Sequence, residues 1–224
     1  MNAPLYGLFG AGGAARAILP MMRHGSVLGD GSPNGSEPKA LREVCLIETN
    51  PRSPEVAGFA VYHEASFFRP SSRRHFCCIA IGNSVDRKQV ADRVGFADIP
   101  NFSVISRNSI IETSLPIGKG AIVCANTYIS VNVQIGVSFF MNIGSILEHD
   151  CTVGDFVTFG PGVVCAGNVK IEDQVFIGAG AVIINGSEDN PLTIGRGATI
   201  GAGAVVLNSI GSGQTVVGNP ARPV

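Results

Sequence analysis

The stretch SILEHDCTVGDFVTFG, residues 145–160, sets His149 between two acids, Glu148 and Asp150, in a run of aliphatics, small residues and glycine. A neutral imidazole oriented by a carboxylate can take a proton from an attacking nucleophile near pH 7, typically worth ~10²–10⁴ in rate. The plain alternative is an exposed polar residue at a turn. The chain has only 4 histidines, and the other three lie well upstream. A second place for chemistry is GAGGAA, Gly10 to Ala15, which fits the GxGxxA dinucleotide fingerprint. Its glycines, with Gly12 and Gly13 at the opening of a helix, would let backbone N–H groups meet a phosphate. Two further polar clusters follow apolar runs: Glu48-Thr49-Asn50, and Gly82, Asn83 and Arg87 in AIGNSVDR.

The elements that must position the first half read as a small α/β unit. PLYGLFGAGGAARAILPMMR predicts a strand, a glycine turn and a helix, with Pro20 near its end. HGSVLGDGSPNGSEP is rich in turn formers and predicts a mobile surface loop. VCLIETN is a second strand, ending in a turn at Pro51. HFCCIAIGN is a buried parallel strand, and SVDRKQVADRVG the helix after it. The expectation is a βαβαβ, Rossmann-like unit over residues 1–106. Its carboxyl edge would gather Gly10, Gly12, Gly13, Glu48, Thr49, Asn50, Gly82, Asn83 and Arg87, although Arg87 also reads as a solvated helix residue. An NAD site would need about six strands and an acid about twenty residues past the glycines. This half has neither, so half a dinucleotide fold holding a single diphosphate is the better fit.

Residues 107–224 carry a repeat. Every sixth residue from Ile117 through Val123, Ile129, Ile135, Met141, Leu147, Val153, Phe159, Cys165, Ile171, Ile177 and Ile183 is apolar. Four places further on in each hexad, from Ala121 to Ser187, stand small or β-branched residues, Phe139 excepted. After a break at SEDNP the phase resumes at Ile194, Ile200 and Val206. An α-helix cannot keep a six-residue register on one side, whereas short strands with a corner every sixth residue can. Three hexads then close one triangular coil, and residues 18 apart stack.

With its repeats IGAGAVI and IGAGAVV and the ending VVGNPAR, the chain resembles the hexapeptide acyltransferases. The preceding GAGG unit, AIGNSVDR and LEHDCTVGDFVTFGPGVVCAGNVKI are similar to bacterial nucleotide-sugar acetyltransferases of the PglD/NeuD type. The resemblance spans essentially the whole chain. It implies a left-handed parallel β-helix, a hand that the period alone does not reveal. It further implies acetyl-CoA as co-substrate, with no tightly bound cofactor and no metal.

The resemblance makes His149 the general base and Asp150 its orienting partner, where the family often has Glu. One coil above His149 stands Gly167, to which the family assigns an amide contacting the acetyl group; the alternative is a glycine that merely turns a corner. Nine residues past the base, related enzymes can carry a second histidine; here Thr158 stands there, with a hydroxyl that could donate. The family holds the pantetheine arm of CoA on backbone amides that correspond to Ala179 and Ala202, equivalent positions if five residues around SEDNP bulge out. Arg222 in GNPAR could meet a CoA phosphate. The base and ribose of the nucleotide fall near Glu48, Thr49 and Asn50.

The expected reaction is N-acetylation of the 4-amino group of a nucleotide-linked 4-amino-4,6-dideoxy sugar, UDP being the expected nucleotide. The rival is O-acetylation of sialic acid or another sugar hydroxyl. Zinc-dependent hydration on the same β-helix would need three histidines, and residues 107–224 hold one. A non-catalytic scaffold with a relic base is the remaining class. The family packs three prisms into a trimer with active sites between subunits, and Phe140, beside Phe139 and Met141, is expected to project outward as an interface contact.

Composition closes off other classes. Net charge of −1 leaves no basic stripe for nucleic acid. The opening MNAPLYGLFGAGG lacks a basic n-region, and no apolar run reaches membrane-span length, so no membrane role and a cytoplasmic site are expected. The 6 cysteines include an adjacent pair and no CxxC, which fits reduced thiols. Cys151 and Cys165 fall in inward slots and read as small apolar residues.

Overall fold

The structure is a computed structural model that describes residues 3–23, 27–28, 43–69 and 71–224. Most of the loop expected over HGSVLGDGSPNGSEP lies outside the described residues; within it Val27–Leu28 is a short strand, β2.

The first half is a five-stranded sheet. Its strands are β1 (Leu5–Phe9), β3 (Val44–Glu48), β4 (Glu55–Val56), β5 (Phe59–His63) and β6 (His75–Ile79), in the order β4-β5-β3-β1-β6. β1 lies between β3 and β6 and pairs in parallel with both, which is why LYGLF and HFCCI read as near-continuous apolar runs. The helices are α1 (Gly13–Arg23), the short α2 (Glu64–Phe67) and α3 (Ser84–Phe96). Pro20 lies inside α1. The three expected strands are present, and the sequence reading missed the β4–β5 hairpin and α2. β5 alternates between half-buried and exposed positions over Phe59–Tyr62, but its sequence FAVYH does not alternate in polarity and so carries no strand signal.

From β7 (Ser103–Ile105) onward the chain coils. β7 pairs in parallel with Ile122–Val123, which pairs with Phe140–Met141, then Thr158–Phe159, Phe176–Ile177, Thr199–Ile200 and Thr215–Val217. This is one face of a three-sided prism. A second face stacks Ile110–Ile111, Tyr128–Ile129, Ile146–Leu147, Val164–Cys165, Val182–Ile183 and Val205–Val206. The third stacks Gln134–Ile135, Thr152–Val153, Val169–Ile171 and Leu192–Ile194. All of these coil-to-coil pairings are parallel, and together with the hexads they fit a left-handed β-helix. The hexad residues from Ile117 to Ile183, and then Ile194, Ile200 and Val206, form the buried core. Phe139 fits inside by meeting Phe159 edge-on at 5.3 Å.

Two expectations are corrected here. Ser187 is exposed, and Leu192 takes its inward slot, because Val169 pairs with Leu192, 23 residues on, whereas Thr152 pairs with Lys170 at 18. The five extra residues bulge out as a loop. Phe140 is not an outer interface residue either. It is 4% exposed and packs with Leu8, Ile18, Phe102 and Ile122, because the α/β unit covers the prism face that carries it. Among the described residues no helix is long and apolar enough to cross a membrane.

Candidate active site

His149 stands at the corner between the face of Ile146–Leu147 and the face of Thr152–Val153. Its side chain is 50% exposed, and Nδ1 lies 2.7 Å from Oδ2 of Asp150. That contact fixes the tautomer: Nδ1–H donates to the carboxylate, and Nε2 is left to accept a proton. Asp150 adopts a φ of +57°, the left-handed conformation that Asn132 and Asn168 share at the same corner of the adjacent coils. Short Asx side chains tolerate that region, and the turn brings the carboxylate back to the ring of the preceding residue. The other carboxylate oxygen, Oδ1, accepts from Nδ2 of Asn132 at 3.2 Å, one coil below. Asn132 was missed in the sequence, although subtracting 18 from 150 points to it. The hydrogen bond to Asp150 raises the His149 pKa above its ordinary value, and the same bond, with that from Asn132, lowers that of Asp150.

Gly167 lies directly over the ring. A Cβ there would stand 2.6 Å from Cε1 and 2.7 Å from Nε2 of His149, closer than any side chain tolerates. The glycine therefore makes room for the imidazole in this position. Glu148 has no contact with the ring comparable to that of Asp150.

The remaining residues expected on the donor side lie elsewhere on the prism. Ala179 and Ala202 share one exposed corner, with Gly203 N–H donating to the Ala179 carbonyl at 2.8 Å. Strand pairing of Phe176 with Thr199 establishes their equivalence across the five-residue bulge. Arg222 is exposed in a terminal strand that pairs antiparallel with Thr215–Val217. Thr158 is a correction. Nine residues are half a coil, so in one chain it sits on the face opposite His149. It is 4% exposed; its hydroxyl donates to the Gly82 carbonyl at 2.9 Å and accepts from Nη2 of Arg87 at 2.8 Å.

Arg87 is neither a substrate contact nor a solvated helix residue. It is 1% exposed. Nε donates to Ser138 O, Nη1 to Ile81 O and Gly82 O, and Nη2 to Phe156 O, Val157 O and Thr158 Oγ1, at 2.7–3.2 Å. Those partners occupy the guanidinium nitrogens and tie α3 to the prism. Burial without a carboxylate pushes its pKa down to about 10.

At the carboxyl edge of the sheet, a cavity of about 570 Å³ gathers Gly10, Gly12, Glu48, Thr49 and Asn50, together with Arg52, Ser53 and Ile81. Gly10 has φ +104°, and nothing lies within 4 Å of where a Cβ would sit on Gly12 or Gly13. Gly13 opens α1, so space adjoins the helix N-terminus. Thr49 is held from below, its hydroxyl donating to Glu64 at 2.7 Å, while Glu64 also accepts from Nε of Arg93 at 2.6 Å. The Arg93 bond holds the Glu64 carboxyl below its usual range. Of the other residues expected here, Asn83 caps α3 through its side chain, and Gly82 turns its carbonyl to Arg87 and Thr158.

Residues 107–130 and 168–208 match the hexapeptide repeat of succinyl-transferase. The chain is 37% identical over 218 residues to GDP-perosamine N-acetyltransferase of Escherichia coli O157:H7, covering 97% of this chain and 95% of that protein. WeeI from Acinetobacter baumannii AYE has a TM-score of 0.88 at 36% identity, covering 100% of both chains. The acetyltransferase domain of PglB from Neisseria gonorrhoeae FA1090, in complex with acetyl coenzyme A, has a TM-score of 0.84 at 25% identity, again covering 100% of both. A corner histidine held by the next residue's carboxylate, on hexad coils and in a chain matched end to end by these relatives, places the protein: it belongs to the bacterial sugar N-acetyltransferases of the hexapeptide-repeat acyltransferase superfamily.

Proposed function

We propose that the protein transfers acetyl from acetyl-CoA to the 4-amino group of a nucleotide-linked 4-amino-4,6-dideoxy sugar, with His149 as general base. The observation that carries this reading is the 2.7 Å pairing of His149 Nδ1 with Asp150, which leaves Nε2 as the proton acceptor. The amine attacks the thioester carbonyl carbon as Nε2 takes its proton. The Gly167 N–H steadies the developing oxyanion, an interaction typically worth ~3–4 kcal/mol. Collapse breaks the C–S bond, and the imidazolium returns the proton to the departing thiolate. Transfer is direct, because Cys151 and Cys165 are core residues 1% and 0% exposed. Asp150 holds the ring and steadies its charged form. Ala179, Ala202 and Arg222 hold the donor.

In this reading residues 1–106 form a Rossmann-like unit that holds the nucleotide in the cavity beside Gly12 and Gly13, and residues 107–224 hold acetyl-CoA. For the nucleotide, the acceptor named for the E. coli relative favours GDP over the UDP expected from the sequence. The named N-acetyltransferase activity likewise favours an amine over a hydroxyl acceptor.

The working form in this proposal is a trimer with shared sites. The α/β unit covers the face carrying Ile122 and Phe140, while His149 stands at the corner between the other two faces. An acceptor held by one chain's cavity therefore meets the base of a second copy most directly. Ala179 and Ala202, on another corner, require the same arrangement for the donor. Acetyl-CoA and reduced thiols both fit a cytoplasmic setting.

The test is thiol release from acetyl-CoA with GDP-, UDP- and dTDP-linked 4-amino-4,6-dideoxy sugars. Turnover with the GDP-linked sugar, lowered by ~10²–10⁴ in His149→Ala, is expected. Release that depends on none of these acceptors would overturn the reading, and preference for UDP would overturn the nucleotide assignment.

A further inference from the structure

A second cleft, of about 480 Å³, opens beside Asp150 of the dyad, with Thr152, Asn168, Lys170, Ser187 and Glu188 in its lining. One wall belongs to the prism; the other is the five-residue bulge that interrupts the hexads. That bulge is a built wall. At its start Gly186 N–H donates to the carbonyl of Gly167 at 3.0 Å, and at its end Leu192 N–H donates to the carbonyl of Asn168 at 3.2 Å. Ser187 and Asn190 exchange backbone hydrogen bonds at 3.1 and 3.2 Å across the loop. The insertion is thus tied to the residue that lies over the base.

The lining has the chemistry of a sugar site. Thr152, Asn168, Lys170 and Ser187 donate, Asp150 and Glu188 accept, and ligand pockets typically span about 300–1,000 Å³. Val169 and Pro191 are the apolar residues of the lining, outnumbered by polar ones, so a polar ring suits the cleft better than the pantetheine arm. Two carboxylates against one ammonium disfavour a diphosphate and suit the uncharged hydroxyl and amine substituents of a sugar ring.

We infer that this cleft is the subsite for the sugar ring of the acceptor, with Glu188 and Lys170 selecting the sugar by hydrogen bonds to its ring substituents. This rests on the acetyl-transfer reading above. It adds that the insertion, and not the nucleotide cavity, decides which amino sugar is acetylated.

The experiment compares wild type, Glu188→Ala, Lys170→Ala and a deletion of residues 187–191, which restores the 18-residue coil. Acceptors are GDP-perosamine and a GDP-linked epimeric 4-amino-4,6-dideoxy sugar. Each single variant is expected to raise KM for the preferred acceptor by about 10- to 100-fold, the loss of one charge-assisted hydrogen bond. The KM for acetyl-CoA and the affinity for GDP alone should hold within about twofold. The deletion should in addition erase discrimination between the epimers, and thermal melting checks that it folds. Unchanged acceptor KM and epimer preference in the folded variants, with wild type active, would overturn the sugar subsite and leave the acetyl-transfer reading standing. A matching rise in KM for acetyl-CoA would overturn it by assigning the cleft to the donor. A wild type that acetylates neither sugar would overturn the GDP assignment and this inference with it, while the acetyl-transfer reading would fall only if the UDP- and dTDP-linked sugars failed as well.

Discussion

Gly167 stands over the imidazole of His149 so closely that a single methyl group would displace the ring: a Cβ there falls 2.6 Å from Cε1. The two are one coil apart, and the glycine is the roof of the site. Gly167 is not among the positive-φ residues, so alanine strains no backbone there. Gly167→Ala should therefore fold normally while turning the ring away from Asp150. We expect kcat to fall by ~10²-fold, as for a misplaced catalytic group, with the melting temperature unchanged. Wild-type kcat in this variant would mean that ring placement is unimportant.

His149→Ala should lower kcat by ~10²–10⁴ with smaller changes in either KM, because base catalysis acts in the transition state. Near-wild-type kcat at saturation would leave proximity alone to carry the reaction.

The pH profile should report the dyad. The base must be neutral, and the Asp150 hydrogen bond raises the His149 pKa above 6.5. Activity in wild type should accordingly climb through a value above 6.5 as pH rises. Asp150→Asn removes the carboxylate, so the acid limb should move to lower pH while kcat falls. A limb that stays in place would show that another group titrates.

Arg87→Ala takes the donor from the carbonyls of Ile81, Ser138 and Phe156, whereas Val157 O keeps the Phe140 N–H. Each buried group left unsatisfied costs about 1–3 kcal/mol, so a loss of more than about 3 kcal/mol in denaturant unfolding is expected. Stability equal to wild type with KM raised only for the nucleotide sugar would instead place Arg87 against substrate.

Gly13→Val should narrow the turn at the start of α1. Nothing occupies the space near a Cβ on Gly13 in the protein itself, so the fold should tolerate the change. KM for the nucleotide sugar should rise by about tenfold or more, from loss of a phosphate contact, and KM for acetyl-CoA should hold. Equal effects on both substrates would argue against a nucleotide site in this unit.

What the amino-acid sequence determined by itself is whatever the repeat makes periodic. Coils stack at a constant 18 residues, so separation along the chain converts into position in space. The inward residues from Ile117 to Ile183, the stacking of Gly167 on His149 and the bulge before Ile194 were all legible for that reason. Asn132 obeys the same rule. The parallel strands β1, β3 and β6 were legible as apolar runs because both of their faces are covered.

Only the tertiary structure decided which prism face the α/β unit covers. That docking joins residues 51 to 76 positions apart, such as Arg87 with Ser138 and Thr158 with Gly82, and no period relates the two halves. Phe140 therefore looked like an exposed outward residue until the unit lay over it. Arg87 gave no sign of a buried partner, since its acceptors are mostly backbone carbonyls that every residue carries. The cleft beside Asp150 is of the same kind. Its far wall is a loop whose length shows in the broken phase, but whose return to Gly167 and Asn168 depends on how the folded coil closes around it.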